Sequence, residues 1–597
     1  MITAIEIENF KAIGKRVPVE LKPLTLLFGP NSSGKSTIIQ AIHYAREIFV
    51  RHNVDPDRTE SGGESVDLGG FQQFVHHDDS RDDSKVIRLR LFLELKGLPG
   101  YEDDIVSASV DDEAYAEIDS ALNRCNLGWV EISVKWSAAL SQPQVVHYGV
   151  GLGHEQKPIA TIFKVDAMDE RAKQLRELLL AGLRDDEIGK LAFIMLNWKH
   201  PMLADGGELA ALRGLSQRTV EGLLSDDPVD PFSDESPPLL TIIPSPVHQP
   251  GEAHTVFRWR PAISALPAWA KRLSLPRREG AETSACVAAE WAMTRIIVGP
   301  GEQLRNELQQ FRYLGPLRKL PPRNYTPPRF PEESRWPEGL AAWDALYGAD
   351  AGMTEPANES PAKEPMVAET AEKQWDDARA PKDGKADTLS IQEVNDWFDD
   401  RLKAGYAVHL KSCTEVDTQT VPDPNADSKE LKRFVDELRN RAPKKQVVLV
   451  PDGQSIEVQP LDVGTGVSQL LPVVVLALHA WRSLVAIEQP ELHLHPKLQA
   501  ELGDLLIESA LSGRQNTMLI ETHSEHLILR LMRRMRDRVR GKHGAAPPVN
   551  PEDVAVLFVE STPNGSAVRQ LRLAPDGSLL DPWPGGFFEE SFSEIFG

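Results

Sequence analysis

The sequence predicts an α/β fold with a mixed sheet, assembled from an N-terminal and a C-terminal lobe with an α+β insertion between them. Three observations point to it. Leu24 to Phe28 is a short apolar run that enters a Gly-rich turn and then a segment of helical spacing, Ile38 to Val50, with Ile38, Ile42, Ala45 and Phe49 on one face. Leu484 to Glu488 is a second apolar run, ending in an acid, in a stretch that again alternates strand and helix patterns. Between them, from about residue 98, the texture changes to short alternating segments.

Composition sets the outer limits. Hydrophobic residues make up 41% of the 597 positions and charged residues 26%, which allows a sizeable core and several domains. Lys plus Arg is 66 and Asp plus Glu is 89, a formal net charge of -23. That excludes a simple polycation coating nucleic acid, so any such contact has to come from a local basic patch. The longest apolar stretch, Leu470 to Ile487, is interrupted by Pro472, His479 and Arg482 and fails as a membrane span. No charged-then-apolar leader opens the sequence, and Cys125, Cys286 and Cys413 are too far apart for metal or disulfide spacing. A reducing cytoplasm is the expected compartment.

In chain order, Ile2 to Ile7 and Val86 to Leu95 alternate as strands, and the first lobe spans 1–97. Within 98–310, Gly128 to Trp136, Val145 to Val150 and Ile159 to Val165 read as strands, expected antiparallel. Met168 to Leu183 and Asp186 to Leu196 read as helices, 225–250 as a Pro-, Ser- and Asp-rich loop, and Thr283 to Phe311 as helical. The insertion is expected to have a small structure of its own. Residues 311–390 re-enter the fold, and 321–388, rich in Pro, Ala and acids and poor in aliphatics, are expected to stay flexible. A helix from Ile391 opens the second lobe, 391–597. Neither an internal repeat nor a sustained heptad is present.

Four motifs carry chemistry. Gly29, Pro30, Asn31, Ser32, Ser33, Gly34, Lys35, Ser36 and Thr37 fit G-x-x-x-x-G-K-[ST] between a strand and a helix. Such a turn points backbone N–H groups at phosphates, adds the Lys35 charge, and offers the Ser36 hydroxyl to Mg²⁺. The second motif is the run ending in Glu488, followed by Gln489, Pro490, Glu491, Leu492, His493, Leu494, His495 and Pro496. A strand-end acid is placed to hold Mg²⁺ opposite the turn. His493 and His495 lack a third metal ligand and are expected to shape the turn instead. The third, Asp462 to Pro472 with Gly464, Gly466, Ser468 and Gln469, opens an apolar helix and makes a second anion site. The fourth is the strand end Leu519 to Ser524, where His523 can approach a γ-phosphate.

Together, in this order and spacing, the four motifs resemble the ABC-type ATPase heads of the structural-maintenance-of-chromosomes (SMC), RecF and OLD group. Ile5 to Lys11 and the phrase Glu488 to Pro496 look most like compact bacterial AAA/OLD-like ATPases found in phage defence, in which an ending like Trp583 to Phe588 also occurs. The resemblance covers about 1–97 and 391–597, plus Tyr313 to Arg318. It implies ATP and Mg²⁺ as cofactors and a homodimer or higher homo-oligomer with ATP sandwiched between heads. In that arrangement Gly464, Gly466, Ser468 and Gln469 of one chain cap the γ-phosphate held by the other chain's P-loop. Gln73, or Gln72, is then the glutamine that couples Mg²⁺ to the insertion. It further implies work in DNA maintenance or phage defence, with a separate effector nuclease. In such heads a glutamate follows the strand-end acid; here Gln489 stands there, able to position water but not to take its proton. Either Glu491 takes that role, or hydrolysis is slow and ATP acts as a clamp. The rival to a working ATPase is therefore a nucleotide-gated scaffold.

A nuclease within the chain has little support. Val556 to Glu560 could be the strand of a Toprim centre, but only Asp576 and Asp581 follow, without a D-x-D pair. An OLD-like nuclease would need an unrecognised centre in 98–310. A basic helix follows His523, with Arg530, Arg533, Arg534, Arg536, Arg538, Arg540 and Lys542, packing through Leu527, Leu531 and Met535. It reads either as a solvated face or as a contact for DNA phosphates or an acidic partner.

Overall fold

The computed structural model describes residues 1–58, 63, 65–76, 85–98, 113–138, 140–164, 192–212, 240–244, 253–259, 264–269, 271–273, 283–323, 325–328, 332–349, 389–414, 416, 420–423, 427–440, 444–542 and 546–587. In chain order its strands are β1 (Ile2–Glu8), β2 (Val17–Glu20), β3 (Leu24–Phe28), β4 (Val86–Glu94), β5 (Leu127–Ser137), β6 (Gln142–Leu152), β7 (Ala160–Phe163), β8 (Ala192–Leu196), β9 (Leu240–Pro244), β10 (Ala253–Trp259), β11 (Arg312–Leu314), β12 (Tyr406–Cys413), β13 (Lys444–Pro451), β14 (Leu484–Glu488), β15 (Thr517–Glu521), β16 (Val554–Thr562) and β17 (Gly565–Leu571). The helices are α1 (Lys35–Arg51), α2 (Phe71–Phe74), α3 (Glu113–Arg124), α4 (Thr283–Ile297), α5 (Gly299–Gln309), α6 (Leu340–Gly348), α7 (Ile391–Asn395), α8 (Ser428–Asn440), α9 (Thr465–His479), α10 (Pro496–Leu511) and α11 (Glu525–Val539). The chain divides into two compact units: Met1–Leu21, Pro30–Phe311 and Val559–Arg569 form the first, and Lys22–Gly29, Arg312–Phe558 and Gln570–Gly597 the second.

The first unit carries a nine-stranded sheet in the order β2-β1-β4-β5-β6-β7-β8-β10-β9. Period-two alternation builds it: Ile5 stands opposite Val19 on one side and Leu91 on the other, and Ile5, Ile7, Leu89 and Leu91 are all buried. The strands of 98–310 do not make a separate sheet. β5 pairs with β4 from Val86↔Lys135 to Glu94↔Leu127, so the insertion extends the N-terminal sheet, antiparallel as expected. Helices close over it. The Tyr148 hydroxyl donates to the Ile297 carbonyl at 2.7 Å, and the fully buried Arg295 donates to Asp119 at 2.6 Å and Asn123 at 2.7 Å. Thr283 to Phe311, expected helical, holds α4 and α5.

Three expectations need correction. Asp186 to Leu196 does not end as a helix: Ala192–Leu196 is β8, an apolar run between β7 and β10 whose residues are nearly all buried, and at five residues its composition cannot separate strand from helix. The expected loop 225–250 contains β9, paired with β10 from Leu240↔Phe257 to Pro244↔Ala253. The expected flexible stretch 321–388 contains α6, in which Trp343 is fully buried, and before it Trp336, which is nearly so. Two tryptophans supply the burial that a sparse aliphatic content does not. The expected helix Met168 to Leu183 and the rest of the stretch, 350–388, lie outside the described residues.

The second unit carries a six-stranded sheet, β11-β14-β15-β3-β16-β17, in which β11, β14, β15, β3 and β16 run parallel. Strands β3, β14 and β15 are buried along their whole length, which is why they read as unbroken apolar runs rather than alternating ones. The apolar stretch that failed as a membrane span divides between α9, buried from Leu470 to Leu478 in this unit's core, and β14. Among the described residues no helix is long and apolar enough to cross a membrane. The helix from Ile391 ends early, passing into a π-helical turn, Asp396–Arg401, that buries Trp397 and Phe398.

Candidate functional site

Register brings the motif strands to one edge. Glu488 at the end of β14 stands opposite Glu521 at the end of β15, and Glu521 opposite Leu27 of β3. The ladder runs one residue further: the Gln489 N–H donates to the Glu521 carbonyl at 2.7 Å and the Thr522 N–H to the Leu27 carbonyl at 3.1 Å. Ligands of open parallel sheets bind outside these carboxyl ends.

From β3 the chain turns at Gly29 and enters α1, a 17-residue helix starting at Lys35. Lys35 is nearly buried and its Nζ donates back to the Pro30 carbonyl at 2.8 Å. Asn31 and Ser32 are exposed at the tip, Ser33 and Thr37 are buried, and Ser36 is half-buried. Gly34 adopts φ 100°, and a Cβ there would come 2.3 Å from Ser566 Oγ. Ser566 donates that hydroxyl to the Ser33 carbonyl at 2.6 Å. This serine buttress is remote in sequence and has no motif to announce it.

On the acidic side, the Tyr313 hydroxyl donates to Glu488 Oε1 at 2.9 Å. Burial, then the Glu488 charge, pushes the Tyr313 phenol far above its ordinary range. Arg318, nearly buried, donates through Nη2 to the carbonyls of Glu488 at 2.9 Å and Gln489 at 3.3 Å, and through Nη1 to the Gln469 carbonyl at 3.2 Å. Burial lowers its pKa to about 10, against the opposing pull of Glu491, Tyr313 and Glu488. Tyr313 and Arg318 lie in the phrase that carried the family resemblance, but their contacts span 151 to 175 residues of sequence and no local pattern gives them.

Glu491 is largely buried. Burial pushes its carboxyl up, opposed by the His523 N–H, which donates to Oε1 at 2.7 Å. Its Oε2 is buried without a hydrogen-bond partner among the described residues. The structure thus ties Glu491 and His523 together, with the His523 ring 6.3 Å from the Phe587 ring. His495 caps α10 by accepting the Lys497 N–H at 3.3 Å, the turn-shaping role expected of it.

Gly464 caps α9 and, with Thr465, is exposed. Ser468 is buried, its hydroxyl donating to the Thr465 carbonyl at 3.0 Å, and Gln469 Nε2 donates to the Arg318 carbonyl at 2.7 Å. Gly466 lies against the turn after β14: a Cβ there would stand 2.9 Å from the His493 carbonyl oxygen. In this conformation Gly464 and Thr465 present the loop outward, while Ser468 and Gln469 face their own chain. Gln73 lies exposed on the single turn α2, in the first unit, held by Phe71 and Phe74.

The basic helix α11 packs through Leu527, Leu531 and Met535 as expected. Two of its arginines are not surface phosphate contacts. Arg530 pairs with Glu501 and Asp504, both at 2.7 Å, and Arg534 Nε donates to the same buried Asp504 at 2.7 Å. Arg533, Arg538 and Arg540 are exposed and Arg536 is half-buried.

A Gly-rich turn leading from a parallel strand into a helix, with an acid at an aligned strand end, is the arrangement of a P-loop nucleotide-binding domain on a mixed α/β fold. Residues 1–117 and 354–528 match the model of the AAA ATPase domain family. Residues 549–596 match a family described as a protein of unknown function, DUF3696. No curated protein matches the chain. Among solved structures it is similar to an Smc head bound to the C-winged helix domain of ScpA (10% identity, TM-score 0.34, covering 96% of this chain and 98% of that one). It is also similar to an Smc head with an extended coiled coil bound to the C-terminal domain of ScpA from Pyrococcus furiosus (11%, 0.31, 100% and 98%) and to the SMC head domain from Thermotoga maritima (8%, 0.33, 96% and 99%).

The Gly34 geometry makes a stability prediction. Gly34→Ala combines a left-handed φ with a clash against Ser566 and should destabilise the protein by about 1–3 kcal/mol. Ser566→Gly in the same chain should recover the steric part only. Urea unfolding of the three variants measures this; a Gly34→Ala protein as stable as wild type would contradict the turn geometry.

Proposed function

We propose that the protein binds and slowly hydrolyses Mg²⁺-ATP and that ATP holds two copies together, gating a separate effector nuclease in DNA-directed phage defence or DNA maintenance. The observation that carries the proposal is the row formed by β14, β15 and β3, which sets Glu488 on the same sheet edge from which the Gly29–Thr37 turn departs. In this account the turn's N–H groups, with Gly29, Asn31, Ser32, Ser33 and Gly34, cradle phosphates, Lys35 neutralises them, and Thr37 anchors the start of α1. The Ser36 hydroxyl and the Glu488 carboxylate are the proposed Mg²⁺ ligands, each a hard oxygen donor of the kind this ion takes. Bound there, the ion would neutralise developing phosphate charge.

Gln489 can orient water but accepts no proton as a base. Glu491 is the better candidate: its buried carboxyl is pushed toward neutrality, its Oε2 has no partner among the described residues, and its Oε1 is fixed by the His523 backbone. The scaffold reading keeps one observation in its favour, the Gln489 in place of a glutamate beside Glu488. The exposed Gly464 and Thr465 are the part of the signature loop available to a second chain, and Gln73 would couple the ion to the insertion.

Single-turnover hydrolysis with saturating Mg²⁺ separates these readings. Lys35→Ala should lose ATP binding. Glu491→Gln should slow hydrolysis by about 10²- to 10⁴-fold, the usual loss for a general base, while Gln489→Glu speeds it. Fast wild-type turnover untouched by Glu491→Gln would overturn both the slow clamp and the substitute base.

For nucleic acid, the exposed Arg533, Arg538 and Arg540 are proposed to touch DNA phosphates. Reversing their charges should lower the log–log salt slope of DNA binding by about 1 per lost contact. An unchanged slope leaves α11 a solvated face, and DNA cleavage by the purified chain alone would place the nuclease within it.

A further inference from the structure

We propose that Arg318 is a positioning residue that ties the first turn of α9 to the turn after β14, so that engagement of the Gly464–Gln469 loop sets the placement of Gln489 and Glu491. This rests on the proposed role of that loop at a second chain's nucleotide.

Every strong contact of Arg318 serves one of these two segments. On the α9 side the tie is three hydrogen bonds to Gln469. The Arg318 N–H donates to Gln469 Oε1 at 3.2 Å, Gln469 Nε2 donates to the Arg318 carbonyl at 2.7 Å, and Nη1 reaches the Gln469 carbonyl at 3.2 Å. On the β14 side Nη2 alone holds the carbonyls of Glu488, at 2.9 Å, and Gln489, at 3.3 Å. A guanidinium presents its donors in a rigid fork, so a displacement of Gln469 is transmitted to residues 488 and 489 rather than absorbed by a flexible stem.

The β14 side is built to respond. Gln489 sits at φ 44°, a left-handed conformation that is strained for a non-glycine residue. It is held there from both directions, its N–H donating to the Glu521 carbonyl at 2.7 Å and its own carbonyl accepting from Arg318. A strained residue persists only while its surroundings over-determine it. Arg318 is one of the two restraints, and Glu491 follows two residues later.

The energetics also point away from a purely stabilising role. A nearly buried cation whose donors go to main-chain carbonyls, with Nε lacking any partner among the described residues, carries a desolvation cost that a well-packed apolar side chain would not. The neighbouring Glu488 and Glu491 keep it charged. What an apolar replacement could not supply is the link between the two carbonyl sets.

A double-mutant cycle tests the link. ATP affinity, single-turnover hydrolysis with Mg²⁺ and the thermal midpoint are measured for wild type, Arg318→Lys, Arg318→Met, Gln469→Ala and Arg318→Met/Gln469→Ala. Arg318→Met should keep its ATP affinity yet hydrolyse about 10²-fold more slowly, the loss expected of a catalytic group misplaced by about 1 Å. Arg318→Lys, a point charge without the fork, should fall between. The double variant should be no slower than Arg318→Met, because the Gln469 side chain holds the main chain of residue 318, and without the guanidinium that hold no longer reaches residues 488 and 489. Should Arg318→Met fail to fold, Arg318→Lys with Gln469→Ala completes the same cycle. Multiplying rate effects, wild-type turnover in the Arg318 variants, or affinity falling in step with rate and thermal midpoint would each overturn the inference. A wild-type chain that binds no ATP would instead overturn the ATPase proposal on which it rests.

Discussion

The pairing register of three buried parallel strands is the constraint on which the acidic side of the site depends. With Glu488 opposite Glu521 and Glu521 opposite Leu27, both acids and the start of the Gly-rich turn reach one edge of the sheet. A slip of one residue would invert every side chain of the shifted strand and withdraw Glu488 from the edge. The five-residue apolar runs resist that slip because both faces of each strand are packed, and the hydrogen bonds of Gln489 and Thr522 extend the pairing just beyond the strands.

On that frame the site gathers buried polar groups that an apolar core would exclude. Tyr313 donates to Glu488, Arg318 spans the carbonyls of residues 469, 488 and 489, and Glu491 takes the His523 N–H. Burial shifts each of their titrations toward the neutral form. Perturbed groups collect where chemistry is done, and the cluster falls where the motif strands end. By contrast, the Asp504 pairing of Arg530 and Arg534 turns part of a conspicuous basic helix into a brace between α10 and α11.

What was legible in the sequence is what is local. The Gly29–Thr37 turn, the run to Glu488, the strand before His523 and the helix opened by Gly464 are each written in adjacent residues, and strand, turn and helix appear where expected. Arg318 and Ser566 act on residues far along the chain, so only the folded sheet reveals them. The misread elements fail for other reasons. Ala192–Leu196 is too short and too uniformly apolar for its period to speak, and residues 332–349 hide two tryptophan anchors, Trp336 and Trp343, in a segment whose average composition looks unfoldable. The antiparallel strands of the insertion were readable singly, but not their continuity with β4.

The most direct test of the central claim is ATP affinity titrated against Mg²⁺ for wild type and Glu488→Gln. The account predicts that Mg²⁺ tightens wild-type binding, and that Glu488→Gln keeps the metal-independent binding supplied by the Gly29–Thr37 turn while losing most of the Mg²⁺ enhancement. An identical Mg²⁺ dependence in the two proteins, or no ATP binding by wild type, would contradict it.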